Sequence, residues 1–180
     1  MVNGSALRWN TRSRPTAHGR PPHEVVVVSG IGCSSRLPAN TTCYGFHGVH
    51  GRALPFATGV KLARPDLEVI AVGGDGDGYS IGGNHFVHAC RRDVNMLYLV
   101  MDNRVYGMTK GQPSPTTEPD WDSEIAPGGL GVRSLDPLAL AIAAKATFVA
   151  TGGLGCRDSA MQHPFQAIYF HESITQVASH

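Results

Sequence analysis

Leu67-Glu68-Val69-Ile70-Ala71-Val72-Gly73-Gly74-Asp75-Gly76-Asp77-Gly78 decides the fold of this 180-residue chain. Its first half is an apolar run and its second half an acidic glycine loop. A second apolar run, Met96-Leu97-Tyr98-Leu99-Val100-Met101, leads to Asn103, which stands 28 residues beyond Asp75. Two strand ends therefore deliver a carboxylate and an amide oxygen to one edge of a sheet. Hard oxygen ligands of this kind suit Mg²⁺, which in turn holds phosphate oxygens. Gly74, Gly76 and Gly78 would allow close backbone approach and sparsely populated φ/ψ. The same residues also read as a glycine turn with a solvated Asp and a turn-forming Asn.

Working outward, Glu24-Val25-Val26-Val27-Val28-Ser29 is a β-branched run stopped by Gly30, as expected of a strand covered on both faces. Ala53 to Ala63 predicts a helix with Leu54, Ala57, Val60 and Leu62 toward the core, ended by Arg64-Pro65-Asp66. Ile81 to Cys90 predicts a helix opened by the glycine loop. Gly45 to Gly51 and Gly107 to Pro127 read as loops, and a loop as long as the second is usually functional or mobile. Asp136 is placed to cap a helix over Pro137 to Lys145. Thr147 to Ala150 reads as a short strand, and after Gly152 the pattern dissolves. Strands alternating with helices give a parallel α/β sheet, with its ligand crevice at the carboxyl ends of the strands.

Composition narrows the function classes. A net charge of +1 gives no reason to expect nucleic acid or an anionic membrane as partner. No apolar stretch reaches the roughly 18–20 residues of a membrane span, and no secretory leader is visible before Val25, so the cytoplasm is the expected compartment. Cys33, Cys43, Cys90 and Cys156 form no Cys-x-x-Cys pair, so Cys43, Cys90 and Cys156 are expected to be ordinary buried or loop thiols. Gly30-Ile31-Gly32-Cys33-Ser34-Ser35 looks like a dinucleotide phosphate loop. That reading needs an acidic residue about 20 positions on, and none occurs between Glu24 and Asp66. His47 and His50 could suggest a metal, yet no third ligand is near in sequence.

The wording of the two loops is more specific than their spacing. Gly74-Asp75-Gly76-Asp77-Gly78-Tyr79-Ser80-Ile81-Gly82-Gly83-Asn84-His85 and Met101-Asp102-Asn103-Arg104-Val105-Tyr106-Gly107-Met108-Thr109-Lys110-Gly111-Gln112 resemble the β subunit of 2-oxoacid:ferredoxin oxidoreductases, most closely the 2-oxoglutarate type. The resemblance covers roughly residues 25–153. It implies an α/β fold, a parallel sheet flanked by helices of the thiamine-diphosphate-binding kind, incomplete at the termini. Residues 1–23 would be an irregular tail, 24–153 the binding domain, and 154–180 a divergent or poorly ordered segment.

The resemblance also implies roles. Asp75, Asn103 and the carbonyl of Val105 would hold Mg²⁺. Gly32, Cys33, Ser34, His50, Gly74, Gly76, Asp77, Gly107, Met108 and Thr109 would border thiamine diphosphate (TPP). Lys110 would meet a substrate carboxylate, and Cys33 matches one ligand of a [4Fe–4S] cluster. The implied activity is oxidative decarboxylation of a 2-oxoacid to an acyl-coenzyme A, with ferredoxin as electron acceptor. An α subunit would supply the pyrimidine-binding half, so this chain alone is expected to be inactive.

Both ends depart from the family pattern. Trp9-Asn10-Thr11-Arg12-Ser13-Arg14-Pro15 stands where the family has a cysteine pair, and Cys156 has unfamiliar neighbours. One thiolate cannot hold a [4Fe–4S] cluster, so this chain is not expected to assemble one. A truncated sequence or a cluster-free variant accounts for the departure. Two other functions stay open: a non-oxidative TPP-dependent decarboxylase or synthase component, and a non-catalytic assembly module.

Overall fold

A computed structural model describes residues 20–154 and 163–170. Most of the expected N-terminal tail, and Cys156, lie outside the described residues. Six strands build the main sheet: β1 (Val25–Ser29), β2 (Tyr44–His47), β3 (Glu68–Gly74), β4 (Met96–Met101), β7 (Phe148–Leu154) and β8 (His163–Phe170). A small hairpin, β5 (Val105–Tyr106) with β6 (Gln112–Pro113), lies beyond β4. The helices are α1 (Ala53–Ala63), α2 (Gly83–Arg92) and α3 (Pro137–Ala143).

The strand order is β2-β1-β3-β4-β8-β7. Pairing is parallel from β2 through β4, while β8 runs antiparallel to both of its neighbours. The sheet is thus parallel except for one strand that the sequence pattern did not predict. The chain leaves β1 toward β2, then α1 carries it back past β1 to β3. The order therefore reverses between β1 and β3, and at such a switch point the loops beyond the strand ends part to leave a crevice.

Burial explains which strands the sequence disclosed. All five residues of β1 are buried, as a valine run in a central parallel strand should be. By contrast β2 is exposed along its length, with Tyr44 60% accessible. Backbone pairing to Val26–Ser29 creates β2, so no apolar pattern marked it, and the expected loop is a strand at its start. Leu62, expected in the core, is instead 71% exposed, while Leu54 and Ala57 face inward.

A π-helical turn over Gly76–Ile81 precedes α2, so the helix begins two residues later than its expected start at Ile81. Its wide winding is closed by the Gly82 N–H donating to the Asp77 carbonyl at 3.0 Å. Asp136 caps α3 as predicted, its Oδ1 accepting the N–H groups of Leu138 and Ala139, both at 3.0 Å. That helix stops at Ala143, because Lys145 has φ 66°.

The core gathers Val26, Val28, Val69, Ala71, Val100 and Tyr98 of the sheet with Leu54, Ala57 and Phe86 of the helices. Phe86 is fully buried, edge-on to Tyr79 at 5.1 Å between ring centres and 6.2 Å from Tyr98. Phe86→Ala is expected to destabilise the chain by about 3–5 kcal/mol through lost contacts and a residual cavity, read from urea unfolding; a loss under 1 kcal/mol would show that this is not a packed core position.

Candidate active site

The backbone register places the two predicted loops together. Gly74 at the end of β3 pairs with Met101 at the end of β4, so Asp75 and Asp102 emerge side by side. Both are buried, at 2% and 3% exposure. The Asp75 carboxylate accepts the Asn103 N–H at 3.3 Å through Oδ1, and its Oδ2 lies 3.4 Å from the Thr116 hydroxyl. That same hydroxyl lies closer to Asp102, at 2.8 Å from Oδ1. It has one proton to give, and the shorter contact takes it. Asp102 Oδ1 also accepts the Arg104 N–H at 2.9 Å, and Asn103 Oδ1 accepts the Val105 N–H at 3.2 Å. These side-chain-to-backbone bonds fold residues 102–105 into a tight turn.

Burial lifts the Asp75 carboxyl above the ordinary range. The Ser114 hydroxyl opposes this, and the negative charge of Asp102 adds to it. The oxygens available here, from a carboxylate, an amide and a backbone carbonyl, match the hard donors that Mg²⁺ prefers. A divalent cation would relieve the strain of two adjacent buried acids. On chemistry, therefore, the residues present fit the ion. Among the described residues no cluster of three or more His, Cys, Asp or Glu offers another metal site.

Gly76 and Gly78 of the loop are required for space. A Cβ on Gly76 would lie 2.3 Å from the Tyr106 ring, and one on Gly78 would lie 2.0 Å from the Tyr98 hydroxyl. Neither these two nor Gly74 has a positive φ. Close approach explains them, and the unusual backbone angles expected from sequence are absent.

The loop beyond β1 closes the second side. Gly32 has φ 130°, Cys33 is exposed, and Ser34 packs close to Gly74, where a Cβ would stand 3.5 Å from the Ser34 Oγ. His47 lies within hydrogen-bond reach of Ser29 Oγ at 3.0 Å and the Ser35 carbonyl at 3.1 Å. His50 reaches Asp77 instead, Nδ1 to Oδ1 at 2.7 Å. Arg52 donates to the Gly51 and Ile81 carbonyls at 3.4 and 3.5 Å.

Gly107, Met108, Thr109 and Lys110 form the tip between β5 and β6. Gly107 stays near Asn103, whereas Met108 and Lys110 are exposed and Lys110 has φ 73°. The Thr109 hydroxyl bonds within its own loop, to Gln112 Oε1 and to the Tyr106 carbonyl. The structure thus brings Asp75, Asn103, Val105, Gly74 and Ser34 together, and leaves Lys110 on the rim. Sequence reading missed Asp102 and Thr116. A signal existed in the Ser114-Pro115-Thr116-Thr117 hydroxyl run, but nothing local says that it folds back onto a carboxylate.

The three described cysteines sit in different surroundings. Cys33 is exposed and Cys43 is partly buried. Cys90 lies in the core, where burial pushes its thiol up to about 12. The described residues therefore do not fit a [4Fe–4S] cluster, which needs four thiolates. Among the described residues no helix is long and apolar enough to cross a membrane.

Residues 23–166 match the family model described as thiamine pyrophosphate enzyme, C-terminal TPP binding domain. The chain is 53% identical over 125 residues to the 2-oxoglutarate oxidoreductase subunit KorB of Mycobacterium tuberculosis, covering 69% of this chain and 34% of that one. It is 49% identical over 129 residues to the 2-oxoglutarate synthase subunit KorB of Methanocaldococcus jannaschii, covering 72% and 48%. A solved structure, 2-oxoglutarate:ferredoxin oxidoreductase from Magnetococcus marinus with 2-oxoglutarate, coenzyme A and succinyl-CoA bound, superimposes with a TM-score of 0.72 at 46% identity, covering 73% of this chain and 45% of that one. The chain thus spans between a third and a half of the length of these proteins.

The raised Asp75 carboxyl sets a sign for stability. A folded-state pKa above the unfolded one means that the native state binds the proton more tightly, so stability falls as pH rises through that interval and stays lower above it. Asp75→Asn is expected to raise the melting temperature of the ligand-free chain at pH 7, with the gap to wild type narrowing toward pH 4. Thermal melts at both pH values check it, and an unchanged or lower melting temperature at pH 7 would contradict the buried-charge account.

Proposed function

Given that the chain belongs to the thiamine pyrophosphate enzymes, matching their C-terminal TPP-binding domain over residues 23–166, we propose that it acts as the β subunit of a 2-oxoacid:ferredoxin oxidoreductase. The substrate class is a 2-oxoacid, 2-oxoglutarate by the names of its relatives. One observation carries the reading: a buried carboxylate, Asp75, hydrogen-bonded to the loop of Asn103 at the carboxyl ends of adjacent strands. Nothing in core packing calls for an acid there, and an anchored metal diphosphate does.

In this reading Asp75, Asn103 Oδ1 and the Val105 carbonyl hold Mg²⁺, and the ion holds the diphosphate. Gly74 and Gly76 let the backbone come close, Gly32, Cys33 and Ser34 border the cofactor across the crevice, and His50 faces its phosphates. Gly107, Met108 and Thr109 cover the site, and Lys110 on the rim meets the substrate carboxylate. When bound, TPP supplies the carbanion chemistry that severs a 2-oxoacid from its carboxyl group. An α subunit brings the pyrimidine half, and ferredoxin and coenzyme A take the electrons and the acyl group. Because the described cysteines do not fit a cluster, no electron step is assigned to this chain.

The test is calorimetry of TPP binding, with and without Mg²⁺, on the chain co-expressed with an α subunit. Mg²⁺-dependent binding is expected. Asp75→Ala should weaken it by about a hundredfold or more, since loss even of residues that merely orient metal ligands costs about 10–100-fold. Unchanged affinity in that variant would overturn the site. Cys33→Ser should leave TPP affinity within about twofold, less than 0.5 kcal/mol at 1.4 kcal/mol per tenfold.

A further inference from the structure

Asp77 takes no part in the contacts that join Asp75, Asp102 and Thr116, yet it is equally buried. Its Oδ1 accepts three hydrogen bonds from two other loops: the Ile31 N–H at 3.0 Å, the Gly51 N–H at 2.7 Å and His50 Nδ1 at 2.7 Å. Its other oxygen, Oδ2, packs against two glycines. A Cβ on Gly30 would lie 2.0 Å from Asp77 Oδ2, and one on Gly73 would lie 3.1 Å from it. The His50 side chain is 34% exposed, so its ring runs from a buried acid to solvent.

We propose that Asp77 is a positioning residue, holding His50 through Nδ1–H so that Nε2 is presented to an anionic phosphate group in the crevice. The inference rests on the diphosphate site proposed above. A carboxylate on one ring nitrogen fixes both the tautomer and the direction of the other nitrogen. With Nδ1 committed, Nε2 is the ring's one remaining polar atom, and it donates to a phosphate oxygen only when the ring carries both protons. Asp77 supplies the counter-charge for that form. It is held in place by two backbone N–H groups, so the pair is set before any ligand arrives. The bland alternative is that Asp77 only fastens loops and His50 fills a vacant contact.

Two measurements separate these roles. The first is the ring ¹⁵N spectrum of the full chain, with His50 assigned by comparison with His50→Gln. The neutral ring is expected to carry its proton on Nδ1. Asp77→Asn, which keeps an acceptor oxygen, should preserve that tautomer, and Asp77→Ala should release the ring to the Nε2–H form. An Nε2–H ring in the wild type would overturn the proposal. The second is TPP calorimetry on the co-expressed complex. His50→Gln and Asp77→Ala should each weaken binding on the order of ten- to a hundredfold, the range of one charge-assisted hydrogen bond. The double variant should be no weaker than the worse single one, whereas additive losses would mean that Asp77 does not act through His50. If Asp77→Ala does not fold, Asp77→Asn replaces it in the cycle, with a smaller loss and the same non-additivity expected. Should the wild-type complex fail to bind TPP, the diphosphate reading falls and takes this role with it, while the spectrum still decides whether Asp77 sets the His50 tautomer.

Discussion

The register of β3 against β4 governs the rest of the site. Pairing Gly74 with Met101 brings two strand ends level, and the next residue of each chain segment is an aspartate. Slipping one strand by a residue would turn its side chains to the opposite face. Asp75 would then lose both Asn103 and Thr116. The register is held from below by the core, where Val69, Val100 and Tyr98 are buried among Leu54, Phe86 and Ala89. Packing in the body of the sheet therefore sets oxygen positions at its edge, and no separate element is needed to align them.

The alignment runs against stability. Two adjacent buried acids repel each other, and burial already raises the free energy of the charged form of Asp75. The chain offsets this with fixed donors: the backbone N–H groups of Asn103 and Arg104 and the Thr116 hydroxyl. Residues 114–117 return from a distant loop to bring the last of these donors to the pair.

Much of this could be read from sequence because it is local. The valine run of β1, the apolar runs of β3 and β4, the bounds of α1 and the Asp136 cap each lie within a few residues of their cause. The spacing of Asp75 and Asn103 was legible for a similar reason, as each ends a readable strand. What escaped is non-local. β2 exists by pairing to β1 and has no buried face of its own. β8 enters between β4 and β7 against the direction of the sheet. Thr116 meets Asp102 across 14 residues of a loop whose composition says only that it turns. Of the two reasons for glycine in the acidic loop, close approach holds at Gly76 and Gly78, but the rings of Tyr98 and Tyr106 that exclude a Cβ come from later in the chain.

Asp77 exposes a requirement of the topology itself. At a switch point successive loops diverge, which opens the crevice but leaves its walls without mutual support. Here one oxygen joins them: it belongs to the loop after β3 and receives the backbone of the loop after β1 and of the segment after β2. The tie demands glycine at Gly30, where the carboxylate leaves no space, and at Gly51, where φ is 70° and a Cβ would stand 2.6 Å from Ile81. It also leaves Oδ2 buried without a hydrogen-bond partner. That unpaired oxygen opposes folding, since an unsatisfied buried acceptor costs about 1–3 kcal/mol. A neutral side chain of similar size would fasten the same loops with less opposition. What the acid adds to the fastening is its bond to the imidazole of His50.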